Sequence, residues 1–273
     1  MRLSAYRLRG FDSIGSICSI GATLRRVLAL GCVVAAAGCV SIAPGTNAAI
    51  DRERLSNAIS LDDVAQVRTL VEARAIGVND VLPGIGYVAT PMITIAARNA
   101  SLNVLRYLIA AKADLNARTP DRDTALMLAA YFAQEDRDRN AASCERHDQT
   151  VRLLVEAGAD LENAGHSYTP LAYAAYAGRD STVRYLIEQG ARINADAQGR
   201  STRVNTPLMM ATMQGHQSVA RHLLHAGADA GVRVTGGMTA AEFAQKYHHA
   251  QLVQLLRCAE NLRPGESFGK RCE

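Results

Sequence analysis

The side chains of this 273-residue chain that could do chemistry are a serine and a set of histidines in its C-terminal third. Gly265-Glu266-Ser267-Phe268-Gly269 matches G-x-S-x-G, the string that presents a serine nucleophile on a sharp turn between a strand and a helix. Here a long helical pattern comes before it and no strand pattern does, so the match reads as coincidence. His216, His222, His225, His248 and His249 invite a metal reading, and His222 and His225 stand three apart on one helical pattern. No acidic or cysteine ligand accompanies them at a recognised spacing, so they read as surface and inter-helix histidines. No glycine-rich phosphate loop follows a strand pattern. The expectation is a non-enzymatic chain with no catalytic residue, no metal and no cofactor. A hydrolytic enzyme remains the competing class, and Ser267 is the residue on which it would turn.

What must hold these side chains is a helical unit, clearest from Thr206 to Ala230. Thr206 suits a helix N-cap, because its hydroxyl can accept a bond from a free backbone N–H of the first turn. Pro207 sits at the first helical position, where a missing N–H costs nothing. Ala211 and Thr212 are small enough for a second helix to come close. Gly215-His216 breaks the run. Val219, Leu223 and Leu224 then form an apolar stripe at helical spacing, and Gly227 closes the second helix in the left-handed conformation.

The pattern returns from Thr169 to Asn194, from Thr124 with its second helix at Val151, from Pro91 to Asn116, and from Thr239 to Arg257. A weaker copy lies at Leu55 and Val67. This resembles the ankyrin repeat, whose period is about 33 residues. The resemblance implies an all-α repeat: an ankyrin solenoid of helix-turn-helix units with β-turn fingers, covering 51–258 as five clear copies and a degenerate N-terminal cap. The charged run Asp51 to Arg54 suits a water-facing end, as repeat arrays require. The third copy carries an insert within 131–149, about 13 residues beyond what its siblings need. It is expected as a longer helix pair with a charged tip, either a solvated elaboration or a partner-specific protrusion. Residues 259–273 form a tail outside the repeat.

The ankyrin resemblance also implies a partner protein on the concave face. The positions that point there are the residue before each Thr-Pro pair, the finger tip, and the residues after each Ala-Ala pair. They hold Tyr87, Arg98 with Asn99, Tyr131, Phe132, Tyr168, Tyr176, Arg203, Met213 with Gln214, Lys246 and Tyr247. Tyr107, Tyr173, Tyr185 and Phe243 fall at stripe or helix-core positions and are assigned to packing. The histidine that the family carries after Thr-Pro-Leu is replaced by Thr94, Met127, Ala172 and Met209, so its hydrogen bonds between turns are expected to be missing.

The chain has 30 basic and 26 acidic residues, and 25 of each remain beyond residue 38. The basic excess belongs to the leader, so nothing argues for a nucleic-acid partner. Arg25-Arg26 and the short apolar run after them read as a secretory signal over 1–38. Ala36-Ala37-Gly38-Cys39 resembles a bacterial lipobox. That resemblance implies cleavage before Cys39, lipidation of its thiol, and an outer-membrane lipoprotein facing the periplasm, with 39–50 as a tether. Cleavage after Ala37, which would leave a soluble periplasmic protein, is the alternative. In that oxidising compartment Cys258 and Cys272 could pair and pin the tail, the alternative being free thiols at both and at Cys144. The function that follows is an envelope-tethered protein-binding module. An inhibitor or immunity protein against a secreted toxin is one form of it, and an envelope assembly or stress-protection factor another.

Overall fold

A computed structural model describes residues 44–74, 76–83, 89–131, 141–162, 168–194, 205–233, 237–263 and 265–272. The signal sequence and Cys39 lie outside them. Six helix pairs follow one another in this part: α1 (Pro44–Ser60) with α2 (Val64–Arg74), α3 (Met92–Arg98) with α4 (Leu102–Ala110), and α5 (Ala125–Tyr131) with α6 (Ala141–Glu156). Next come α7 (Pro170–Tyr176) with α8 (Asp180–Glu188), α9 (Pro207–Gln214) with α10 (Gln217–His225), and α11 (Ala240–Lys246) with α12 (Ala250–Glu260). A short α13 (Phe268–Arg271) ends the described chain. Strands β1 (Val81–Pro83) and β2 (Ala89–Pro91) pair antiparallel between α2 and α3, with Leu82 opposite Thr90.

The local chemistry explains the helix starts. Thr169 and Thr206 accept the backbone N–H of Ala172 and Met209, each with proline at the first helical position. At Thr239 the cap is reciprocal: its hydroxyl accepts from the Glu242 N–H, while the Glu242 carboxylate takes the Thr239 N–H. First helices stack on first helices, α3 on α5 on α7 on α9 on α11. The small residues Ala96, Ala97, Ala129, Ala130, Ala174, Ala175, Ala211 and Thr212 are buried along that contact. Second helices supply the larger core residues, among them Leu105 and Leu108, Leu154, Leu186, Leu223, Leu256. Each pair buries its apolar stripe only by meeting the next, which is how a stack of repeats holds together without a single core.

One expectation changes and another is narrowed. Residues 44–50, read as part of a tether over 39–50, are the first turns of α1. Pro44 is tolerated in an opening turn, and Asn47-Ala48-Ala49-Ile50 contains nothing that stops a helix. Within the 131–149 insert, the expected lengthening of the helix pair falls, among the described residues, on α6. Residues 141–147 lengthen α6 at its start, giving 16 residues against nine in each of α8 and α10.

Inter-repeat joints recur at equivalent places. The Asn79 side-chain oxygen accepts the Asp114 N–H, Asn116 that of Asp160, and Asn194 that of Asp229. In the third repeat Glu162 does this for Arg192, taking its backbone N–H at 2.6 Å and its guanidinium at 2.8 Å.

Candidate functional site

Arg98, Tyr131, Tyr176 and Lys246 end α3, α5, α7 and α11, and Met213 is the penultimate residue of α9. One residue per repeat therefore lies along the row of stacked first helices. The centre of this row is aromatic. Tyr131 stacks on Tyr176, with ring centroids 6.1 Å apart and planes 26° apart. Tyr173 meets Tyr131 edge-on at 5.7 Å and Tyr168 edge-on at 6.2 Å. All four rings are half-buried. Such offset and edge-to-face pairs fix ring orientation beyond what apolar burial alone would do.

Tyr173 ties this cluster to the finger of the preceding repeat. Its hydroxyl donates to Asp123 Oδ1 at 2.7 Å. The finger is a closed turn: the Arg122 N–H donates to the Thr119 carbonyl, and the Thr119 N–H to the Asp123 carbonyl. The Asp123 N–H also donates to the Thr119 hydroxyl. Burial pushes the Asp123 carboxyl above its ordinary value. The Tyr173 hydroxyl opposes that shift, and the neighbouring Asp121 charge adds to it. Tyr173 is raised strongly, first by burial and then by the Asp123 charge. Tyr168 is raised by burial as well.

The first helices that carry this row are fixed by side chains at the start of the second helices. His216 Nε2 lies 3.0 Å from the Tyr176 carbonyl, and His249 Nε2 3.4 Å from that of Met213. In the lengthened α6, His147 holds the equivalent place and its Nε2 lies 3.0 Å from the Arg98 carbonyl. Arg179 does so in the fourth repeat, donating to the carbonyls of Ala129 and Cys144. Imidazole bonds between repeats are thus present, but they come from the start of the second helix and not from the position after Thr-Pro-Leu. A Cβ on Gly178 would lie 2.5 Å from the His216 ring, and one on Gly215 2.6 Å from that of His249, so both crossings need glycine.

Tyr247 is 40% exposed and stacks on Phe243 of α11 at 6.4 Å, with the Lys246 ammonium 5.7 Å from its ring centre. The Met213 sulfur accepts the Asn205 amide at 3.4 Å. Tyr87, Phe132 and Arg203 lie outside the described residues. Ser267 is exposed at the start of α13, and the following Phe268 is buried against His225, ring centres 5.1 Å apart. The G-x-S-x-G string therefore sits in a tail packed on α10, following a helix and a turn. Cys258 is bonded to Cys272, Cα atoms 5.8 Å apart, and Cys144 is free. Among the described residues no three His, Cys, Asp or Glu side chains are grouped to hold a metal, and no helix is long and apolar enough to cross a membrane.

The repeat pattern alone misses two members of the site. It assigns Tyr173 to packing and reads Asp123 only as part of a turn. One signal points to the tyrosine: where Tyr173 stands, the other repeats carry Ile95, Leu128, Met210 and Phe243. The fourth repeat alone puts a hydroxyl there.

Family models agree with this architecture. A model of ankyrin repeats in three copies matches residues 140–197, and the ankyrin repeat model matches residues 89–120 and 205–234. The human protein Ankyrin repeat and SOCS box protein 16 is 38% identical over 104 residues, which is 38% of this chain and 22% of that protein. The chain thus spans about a fifth of the length of that relative.

Proposed function

We propose, from the premise that this chain carries ankyrin repeats in an all-α stack and is thereby a protein-binding module, that its partner protein seats on the row of first helices, centred on Tyr131, Tyr168 and Tyr176. The observation that carries this reading is the contiguous half-exposed tyrosine cluster on adjacent repeats. Packing between first helices is satisfied by alanine, so these rings are not required there. Tyrosine and arginine are the side chains that dominate binding hot spots. Arg98, Met213, Lys246 and Tyr247 extend the row, and Tyr87, Phe132 and Arg203 belong to it by their place in the repeat.

The test is an alanine scan against the captured partner, with circular dichroism to verify folding. Two or three of Tyr131, Phe132, Tyr168 and Tyr176 should each cost about 2 kcal/mol or more. If all four leave affinity within about a factor of two, while changes to Arg106 and Arg184 on the second helices abolish it, the face is wrongly assigned.

We infer further that the module is tethered to the bacterial envelope through lipid on Cys39, facing the periplasm. Support comes from the lipobox-like Ala36-Ala37-Gly38-Cys39 behind Arg25-Arg26. Labelling with a palmitate analogue should mark the wild type and spare Cys39→Ser; equal label on both, or none on either, refutes the anchor. Inhibition of a toxin delivered to the envelope is the sharper form of this reading, and an adjacent gene for a secreted toxin would select it over an assembly or stress-protection role.

A further inference from the structure

The tyrosine cluster includes one charged group whose situation says something about the partner. Asp123 is half-buried beside Tyr173 and takes a single neutral donor, the Tyr173 hydroxyl. Among the described residues no basic side chain pairs with its carboxylate. Burial already raises its pKa, and the nearby Asp121 charge adds to that. A protein seated on Tyr131, Tyr168 and Tyr176 would strip water from this carboxylate as well. A carboxylate buried without a cation opposes binding strongly, whereas one met by a well-placed cation does not. The surrounding rings narrow the choice of cation. Tyrosine faces attract a guanidinium, and its planar fork can stack on a ring while donating two bonds to a carboxylate.

We propose that the Asp123–tyrosine cluster is a subsite for an arginine side chain of the partner, so that this module selects a segment in which an arginine is flanked by apolar residues. The inference rests on the tyrosine face being the protein-binding surface. Acidic segments are disfavoured at the same place, because they would bring like charge to Asp123 and Asp121.

The test is selection of a displayed library of random 16-residue peptides on three folded proteins: wild type, Asp123→Asn, and the triple variant Tyr131→Ala/Tyr168→Ala/Tyr176→Ala. The side-chain carbonyl introduced by Asp123→Asn still accepts from the Tyr173 hydroxyl, so the cluster is preserved while the charge is removed. Circular dichroism and the unfolding midpoint verify that each variant is folded. Wild type should enrich segments with one arginine at a fixed distance from apolar residues. Replacing that arginine by citrulline, its uncharged isostere, should weaken binding to wild type at least tenfold and leave binding to Asp123→Asn within about twofold. Wild-type segments without a basic residue, or an equal citrulline effect on both proteins, would overturn the arginine subsite and leave the tyrosine face standing. Segments held equally by wild type and the triple variant would overturn the face itself. Enrichment of no segment at all would count against both.

Discussion

At the scale of single residues, two predictions follow from close contacts. Gly178 has φ +72°, and a Cβ there would meet the His216 ring, whereas Gly190 has φ +89° and open space. Gly190→Ala should therefore cost only the backbone strain, about 1 kcal/mol. Gly178→Ala adds a clash in a packed joint and should cost about 3 kcal/mol, both read from urea unfolding. Asp123 makes the second prediction. Its folded pKa is raised, chiefly by burial. A group raised in the folded state favours folding most below its unfolded value, and that contribution is lost as pH rises through the folded one. Asp123→Asn should thus gain stability relative to wild type at pH 7, and the gain should disappear in acid, once the wild-type carboxyl is protonated in the folded and unfolded chain alike. Unfolding midpoints across about pH 3 to 7 decide it; a stability difference independent of pH would reject the assignment. The Tyr131–Tyr176 pair is legible in the sequence, because the repeat period places both at one position. The Tyr173–Asp123 bond is not. It spans 50 positions and depends on how the finger turns, which no period encodes.

At the scale of elements, α6 is where the array departs most from its own rule, and the departure has a structural use. Asp148, which opens the regular part of α6, accepts from Arg179, from Ser181 Oγ at 2.6 Å and from Thr182 Oγ1 at 2.7 Å. All three partners belong to the junction of α7 and α8. The Arg179 side chain is only 6% exposed, so it relies on this carboxylate. Asp148→Ala should leave a buried guanidinium without its counter-ion and cost about 3 kcal/mol in urea unfolding. A loss below about 0.5 kcal/mol, the range of an exposed pair, would show that the junction does not depend on it. Helix starts at Thr169, Thr206 and Thr239 are readable because capping chemistry is local. The early start of α1 and the extension of α6 are not. Asn47 to Ile50 and Ala141 to His147 are compatible with helix but lie outside the period of the repeat, and in α6 the bonds of His147 to the Arg98 carbonyl and of Arg179 to the Cys144 carbonyl hold the added turns.

At the scale of the whole molecule, the far end of the stack is closed by its own tail. Cys258 and Cys272 are bonded across 14 positions, and between them Phe268 is buried against the α10 side. Closing a loop of that length stabilises by roughly 3 kcal/mol in the chain-entropy model. Most of it should order the tail and not the repeats, since repeats depend on their neighbours. Cys258→Ser with Cys272→Ser should then leave the main unfolding midpoint nearly unchanged while amides of 262–272 lose protection from hydrogen exchange. Peptide mapping without reductant should show the 258–272 crosslink in wild type. The joints between repeats have a different consequence. Asn79, Asn116, Glu162 and Asn194 each offer an oxygen to the same backbone N–H of the next repeat, and His147, Arg179, His216 and His249 each reach back to the end of a preceding first helix. The connectors are alike while the surfaces they carry differ. A unit can therefore be added or removed at these seams without a new kind of joint, so the length of the array is set in whole repeats.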